Sequence, residues 1–309
     1  MTLSSAPRGD LSGALPNLIV LGAQKCGTSA LHYYLGLHPE VQMSSPKELG
    51  FFLAEEDLEP DPFILVPQEL VLVRGTRNWS RGEDWYASHF RPGARVRGEA
   101  TPAYASPWFP RVAQRMAQTL PDAKLIFLAR DPFERIVSHY LHNRGSGREW
   151  RSLPEALARL DNVYVGRSSY ALALRPFLDR YPRERILIIR QEELLLRRRE
   201  TMRRVFGFLE VEERFWSPKM ERERHPSAGK GWRHRAFTRI QGSRLASPLY
   251  RLPQEVKWAL ERLSYERPSR TGRPVLDQQL RARLAARLEP DIVALERITG
   301  WDLDAWRAI

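Results

Sequence analysis

The sequence has a single cysteine, Cys26, so no intrachain disulfide can form, which suits a reducing compartment. It has no apolar run approaching the ~20 residues that cross a bilayer. Residues Met1 to Pro16 lack an apolar core and carry only Arg8 as a basic side chain, which does not read as a signal peptide. They read instead as a flexible leader rich in Ser, Gly and Pro. These absences lead to the expectation of a cytoplasmic protein. Internal repeats and recognised nucleic-acid motifs are also lacking. Acidic residues are in short supply: 37 Asp and Glu face 49 Lys and Arg, for a net charge of +12. Such a balance points to anionic partners, among them nucleotide phosphates, acidic substrates, nucleic acid or a membrane surface. The plainer alternative is an arginine-rich surface that is merely well solvated.

What is present fits a globular enzyme. The chain has 309 residues, 42% hydrophobic and 28% charged, long enough to bury a large core. Asn17 to Gly22 is an apolar run ending in glycine and predicts a buried parallel strand. Thr28 to His38 has helical spacing and is expected to close at His38-Pro39. Arg95 to Glu99 is a weak alternating strand, Lys124 to Ala129 a strong continuous one, and Arg185 to Arg190 a fourth. Pro132 sits where a helix would begin after Arg130 and Asp131. Strands alternating with helices predict an α/β fold: a P-loop-like parallel sheet flanked by helices on both faces. Ligands then bind beyond the C-terminal strand ends, at Gly22–Ser29, Arg130 and Arg190–Glu193. One domain over 17–309 is expected, with a basic irregular region at about 214–251 and a final helix from roughly Leu276 to Thr299.

Gly22 to Ser29 joins a strand to a helix and approaches the nucleotide-binding pattern GxxxxGK[ST], with Thr28 where the lysine would stand and Lys25 inside the turn. Gly27 lets backbone approach a phosphate, and the helix start offers N–H groups and a positive dipole end. Thr28 and Ser29 add hydroxyl donors, and the early lysine suits a short 5'-phosphosulfate. The alternative is a strand-to-helix turn that merely needs its glycine. Cys26, although near a helix start, has no base beside it in sequence and reads as a small spacer.

Several motifs occur in order: Lys25-Cys-Gly-Thr-Ser29, Leu37-His-Pro39, Ser45-Pro-Lys-Glu48 with Phe51 and Phe52, Gly98-Glu-Ala-Thr-Pro-Ala-Tyr104, Ala129-Arg-Asp-Pro-Phe-Glu-Arg135 with Ser138, and Ser169-Tyr-Ala-Leu172. The set resembles the PAPS-dependent sulfotransferases, PAPS being 3'-phosphoadenosine-5'-phosphosulfate, and within them the heparan-sulfate and bacterial carbohydrate or lipid branch. The resemblance covers about residues 17–210. It implies PAPS as donor, with adenosine 3',5'-bisphosphate (PAP) as product, and no metal. It implies that Lys25, Cys26, Gly27, Thr28 and Ser29 cradle the 5' end and that Arg130 and Ser138 bind the 3'-phosphate. Without a donor, Arg130 would instead pair with Asp131 or Glu134 at the helix start. Tyr170 matches a tyrosine near the adenine. Lys230, Gly231 and Arg233 match a late glycine–lysine loop, interrupted here by Trp232.

Sulfuryl transfer needs alignment of donor and acceptor, stabilisation of the leaving phosphate and removal of the acceptor's proton. Lys25 suits the second task. Glu99, matching a glutamate the family uses, is the candidate base. The resemblance implies, in many relatives, a lysine after that glutamate, where Ala100 stands here; Lys47 is the candidate replacement, or else a simple loop partner for Glu48. His32 and His139 read as structural. Trp79, Trp85 and Trp108 fall in segments expected to border the acceptor, or they fill the core. The candidate acceptors are hydroxyls on a sugar, a glycolipid or a secondary metabolite, among which the sequence does not choose; anionic surfaces are a further candidate contact, and nucleic acid is not expected as a partner. A P-loop nucleotide kinase is the rival enzyme and a basic nucleic-acid binder the rival of another class.

Overall fold

The computed structural model describes residues 14–54, 57, 77–221, 256 and 273–307. In chain order these form β1 (Leu18–Gly22), α1 (Thr28–Leu35), β2 (Val41–Met43), α2 (Gly82–Ala87), β3 (Val96–Ala100), α3 (Arg111–Thr119), β4 (Lys124–Ala129), α4 (Pro132–Gly145), α5 (Leu153–Ala156), α6 (Val163–Gly166), α7 (Tyr170–Leu178), β5 (Ile186–Arg190), α8 (Gln191–Leu196), α9 (Arg198–Phe208) and α10 (Gln278–Thr299). The described residues fall into two compact units, 14–54, 57, 77–129 and 172–221 in the first, 130–171, 256 and 273–307 in the second.

The first unit holds a five-stranded parallel sheet in the order β2-β3-β1-β4-β5, flanked by helices. The α/β architecture expected from alternating strands and helices is thus present. Strands β1 and β4 are buried along almost their whole length, which is why they read as unbroken apolar runs. β1 lies at the point where the strand order reverses, with β3 on one side and β4 on the other. The loop after β1 therefore opens at a topological switch point, where α/β sheets bind ligands.

Two expectations are corrected. Arg95–Glu99 alternates in sequence, which implies one solvated face, yet all of β3 is buried. It is an interior strand between β1 and β2, so Arg97 and Glu99 are carried into the interior by sheet position rather than by apolarity. Helix α1 ends at Leu35, short of His38-Pro39, because the chain tightens after Gly36: Leu37 N–H donates to Tyr34 O and His38 N–H to Leu35 O, each three residues back. His38 then packs 4.6 Å from both Phe206 and Phe215.

In the second unit Asp131 caps α4, accepting from the N–H groups of Phe133 (2.8 Å) and Glu134 (3.0 Å), and Pro132 occupies the first turn, where a missing N–H is harmless. Arg135 is fully buried; its Nε donates to Ser168 Oγ at 2.6 Å and its Nη2 to Tyr164 O, tying α4 to the turn after α6. The final helix α10 is capped by Asp277 and ends at Gly300 in the left-handed region, φ 70°.

Candidate functional site

The loop after β1 is shaped by its backbone. Past Val20 the strand parts from β3, and Leu21 O accepts from Ala105 N, but it stays beside β4, where Gly22 faces Phe127 and Ala23 N donates to Leu128 O. Gly22 is needed there, since a Cβ would come within 3.0 Å of Ala105 Cβ and 3.2 Å of Pro102 O. Lys25 takes φ 71° and Gly27 φ 94°, left-handed conformations that turn the loop sharply. Gly27 is the N-cap of α1 and offers no side-chain cap, so nothing on that residue competes for the first N–H groups of the helix. Cys26 is fully buried, its Sγ 3.8 Å from Gln24 O, in keeping with a spacer.

Lys47 comes to the same place from another segment. Its Nζ donates to Ser29 Oγ at 3.1 Å, Thr28 Oγ1 at 3.4 Å and Glu48 Oε1 at 2.8 Å. The backbone explains how: Lys47 O accepts from Ser44 Oγ (3.1 Å) and from Ala100 N (3.2 Å), pinning the 44–48 segment against the end of β3. The side chain is only 16% exposed. His32, one turn into α1, is buried and its Nε2–H donates to Ser44 O at 3.1 Å. Burial, reinforced by the charge on Lys47, pushes its pKa down to about 3. It is therefore a neutral support beneath Lys47.

Glu99 is wholly buried. Its Oε1 accepts from the hydroxyls of Tyr86 and Tyr104 (2.8 Å), its Oε2 from Thr101 Oγ1 (2.7 Å) and Leu49 N (3.3 Å). Burial raises the carboxyl pKa, and the hydrogen bonds from Tyr86, Thr101 and Tyr104 offset part of that rise. The same hydroxyls reach further: Thr101 Oγ1 accepts from Gly50 N and Tyr104 OH from Phe52 N. The cluster thus ties the end of β3 to the 49–52 segment that follows Lys47. The Glu99 carboxylate, although at a strand end, is closed off from solvent. Trp79 lies against Phe51 (5.2 Å), and Trp85 is flanked by His89 (4.5 Å) and by the Arg81 guanidinium (4.2 Å); like Trp108, both are half-buried.

In the second unit Arg130 Nη2 pairs with Glu134 Oε2 at 3.0 Å, the helix-start ion pair that the sequence offers as its alternative. Ser138 is buried further along α4. Tyr170 is buried too; its hydroxyl donates to Arg130 O at 2.8 Å and its ring meets Trp306 edge-on at 6.1 Å. Lys230, Gly231 and Arg233 lie outside the described residues. The sequence reading did not single out Tyr86 or Arg273; neither belongs to a motif, and only the fold brings Tyr86 to Glu99 and Arg273 to Glu134.

No described helix is long and apolar enough to cross a membrane. The profile described as "Sulfotransferase family" matches residues 16–218. Membrane-associated sulfotransferase kil1 of Dictyostelium discoideum is 37% identical over 131 residues, 41% of this chain and 22% of that protein. The human bifunctional heparan sulfate N-deacetylase/N-sulfotransferase 2 is 27% identical over 212 residues, 64% of this chain and 22% of that protein. The chain thus spans about a fifth of the length of these relatives. A crystal structure of a sulfotransferase from Alicyclobacillus acidocaldarius superposes with a TM-score of 0.67 at 28% identity, covering 96% of this chain and all of that one.

Proposed function

The chain belongs to the sulfotransferase family, and on that premise we propose that it moves a sulfuryl group from PAPS to a hydroxyl acceptor by in-line displacement. The observation that carries this reading is the Lys47 ammonium set against the Thr28 and Ser29 hydroxyls, directly after the turn that contains Lys25. A cation, two hydroxyls and uncapped helix N–H groups suit the phosphosulfate end of the donor. Cys26 and Gly27 keep the turn small enough for backbone to approach it. Lys25 and Lys47 offset the negative charge that grows on the 5'-phosphate as its bond to sulfur breaks. Arg130 and Ser138 take the 3'-phosphate, and Tyr170 braces the Arg130 backbone beside the adenine.

Glu99 takes the acceptor's proton in this proposal. Burial raises its proton affinity, which suits a general base, and one of its present donors gives way as the acceptor enters. The heparan sulfate enzymes among the relatives support a sugar-bearing acceptor. The lone, buried Cys26 supports a reducing, cytoplasmic setting. Nucleic acid is not a partner in this reading; the net charge of +12 serves phosphate and sulfate instead.

Calorimetry with PAP in the absence of Mg²⁺ tests the donor. PAP is expected to bind and to raise the melting temperature, because ligand binding to the folded state stabilises it. ATP is expected to do less. Binding that requires Mg²⁺ and prefers ATP would replace this reading with a nucleotide kinase.

A further inference from the structure

At the start of α4 two guanidinium groups meet on one carboxylate oxygen. Glu134 Oε2 lies 3.0 Å from Arg130 Nη2 and 2.6 Å from Arg273 Nη2. A third arginine, Arg281, lies over the Phe133 ring at 4.4 Å. Asp131, just before Pro132, accepts from the N–H groups that begin the helix and feels the charge of Arg281. One half-exposed carboxylate, Glu134, is thus the direct counter-charge for two cations. Two like charges drawn to one oxygen repel each other, so the arrangement favours a stronger anion with more acceptor atoms than Glu134 supplies.

Position along α4 adds to this. Ser138 follows Glu134 by one helical turn, so the two share a face of α4, and Arg130, just before the Asp131 cap, reaches back to Glu134. Exposure adds more: Glu134 and Arg273 are each 47% exposed and Arg130 is 18% exposed. Ion pairs with so exposed a carboxylate contribute little and exchange readily. A phosphate monoester carries three oxygens and nearly two charges, and arginine forks match it better than they match a single carboxylate oxygen.

We propose that Arg273 is a second cation for the 3'-phosphate of the donor, and that Glu134 is an internal anion which gathers Arg130 and Arg273 and yields them when that phosphate arrives. The inference rests on the reading of Arg130 and Ser138 given above. It makes this corner of the second unit a selector for nucleotides with a 3'-phosphate, with Glu134 setting the threshold through competition.

The test is calorimetry with PAP and with AMP, which lacks the 3'-phosphate, on the full chain. Arg273→Ala is expected to weaken PAP by roughly tenfold or more, as losing a charged hydrogen bond does, and to leave AMP unchanged. Glu134→Gln, which keeps the shape and removes the competing charge, is expected to tighten PAP severalfold and leave AMP unchanged. Arg273→Lys keeps the charge without the fork and is expected to fall between wild type and Arg273→Ala; it carries the comparison if the alanine variant does not fold. Equal losses for both ligands, no loss for PAP, or weaker PAP binding by Glu134→Gln would each overturn the proposal. A wild-type chain that binds PAP no more tightly than AMP would instead overturn the assignment of the 3'-phosphate to Arg130 and Ser138. A wild type that prefers PAP, beside an unaltered Arg273→Ala, overturns the proposal and leaves the assignment of Arg130 and Ser138 standing.

Discussion

The Lys47 ammonium lies 3.1 Å from Ser29 Oγ, although the two residues belong to different segments and no helix spacing relates them. The link is the Lys47 carbonyl, which takes the Ala100 N–H at the end of β3. Position 100 is where the family resemblance implies a lysine; here its backbone holds another lysine in place. Lys47→Ala is expected to lower turnover by about 10²–10³, the range for removing one preorganised electrostatic group. Lys47→Arg should retain part of that rate. Single-turnover measurements with PAPS check this, and a normal rate in Lys47→Ala would reduce Lys47 to the ion-pair partner of Glu48.

Much of the first unit's sheet was legible in the sequence because burial on both faces writes itself as an apolar run. β1 and β4 are such runs, and their ends mark the loop of Lys25 and the chain just before Arg130. β2 has only Val41, Gln42 and Met43, too short for any period to show. β3 misled through its alternation, since Arg97 and Glu99 are polar residues in an interior strand whose partners come from elsewhere in the chain. Glu99 could be read as a carboxylate at a strand end, but not as one surrounded by Tyr86, Thr101 and Tyr104, because Tyr86 arrives from α2. Arg273 is illegible for the same reason: its significance is a contact with Glu134, 139 positions away.

Gly98 is expected to be intolerant for a packing reason alone. A Cβ there would lie 2.8 Å from Met43 Sδ and 3.0 Å from Leu18 Cδ2. Gly98→Ala should cost ~1–3 kcal/mol of stability, typical of overpacking. Because the Met43 side chain is flexible, Met43→Ala should return part of that loss, a coupling visible in a double-mutant cycle by urea denaturation. Additive losses would show that Met43 is not the obstacle.

His32 sets an acid limit on stability. Its pKa is pushed from the usual 6.5 to about 3 by burial and by Lys47. The unfolded chain therefore binds a proton that the folded chain refuses. The contribution of the neutral imidazole is complete above pH 6.5 and is lost as pH falls toward 3, at up to ~1.4 kcal/mol per pH unit. His32→Gln can still donate to Ser44 O but does not titrate. Its stability, measured by urea denaturation, should fall less steeply across that window than that of the wild type. Parallel curves would mean that His32 is protonated in the folded chain.

Glu99 carries two expectations that one variant separates. Its Oε2 accepts from Leu49 N, a backbone donor that cannot turn round, and its Oε1 accepts from two tyrosine hydroxyls that can. In Glu99→Gln the amide oxygen must therefore face Leu49 and Thr101, with the amide nitrogen toward Tyr86 and Tyr104. Charged hydrogen bonds become neutral ones, and stability should fall by ~1–3 kcal/mol while the chain still folds. If Glu99 is also the base, turnover should drop by ~10²–10⁴ with PAP affinity near normal. Tyr104→Phe supplies the complementary measurement. The Tyr104 hydrogen bond lowers the Glu99 pKa, so its removal raises that pKa. The carboxylate then becomes protonated at a higher pH, and the acidic limb of the pH–rate profile should move upward. A Glu99→Gln chain that loses stability yet keeps its turnover, beside an unmoved profile in Tyr104→Phe, would leave Glu99 as a tie between β3 and the 49–52 segment. The proton would then pass to another group, and Lys47, beside the Thr28 and Ser29 hydroxyls, is the next to test.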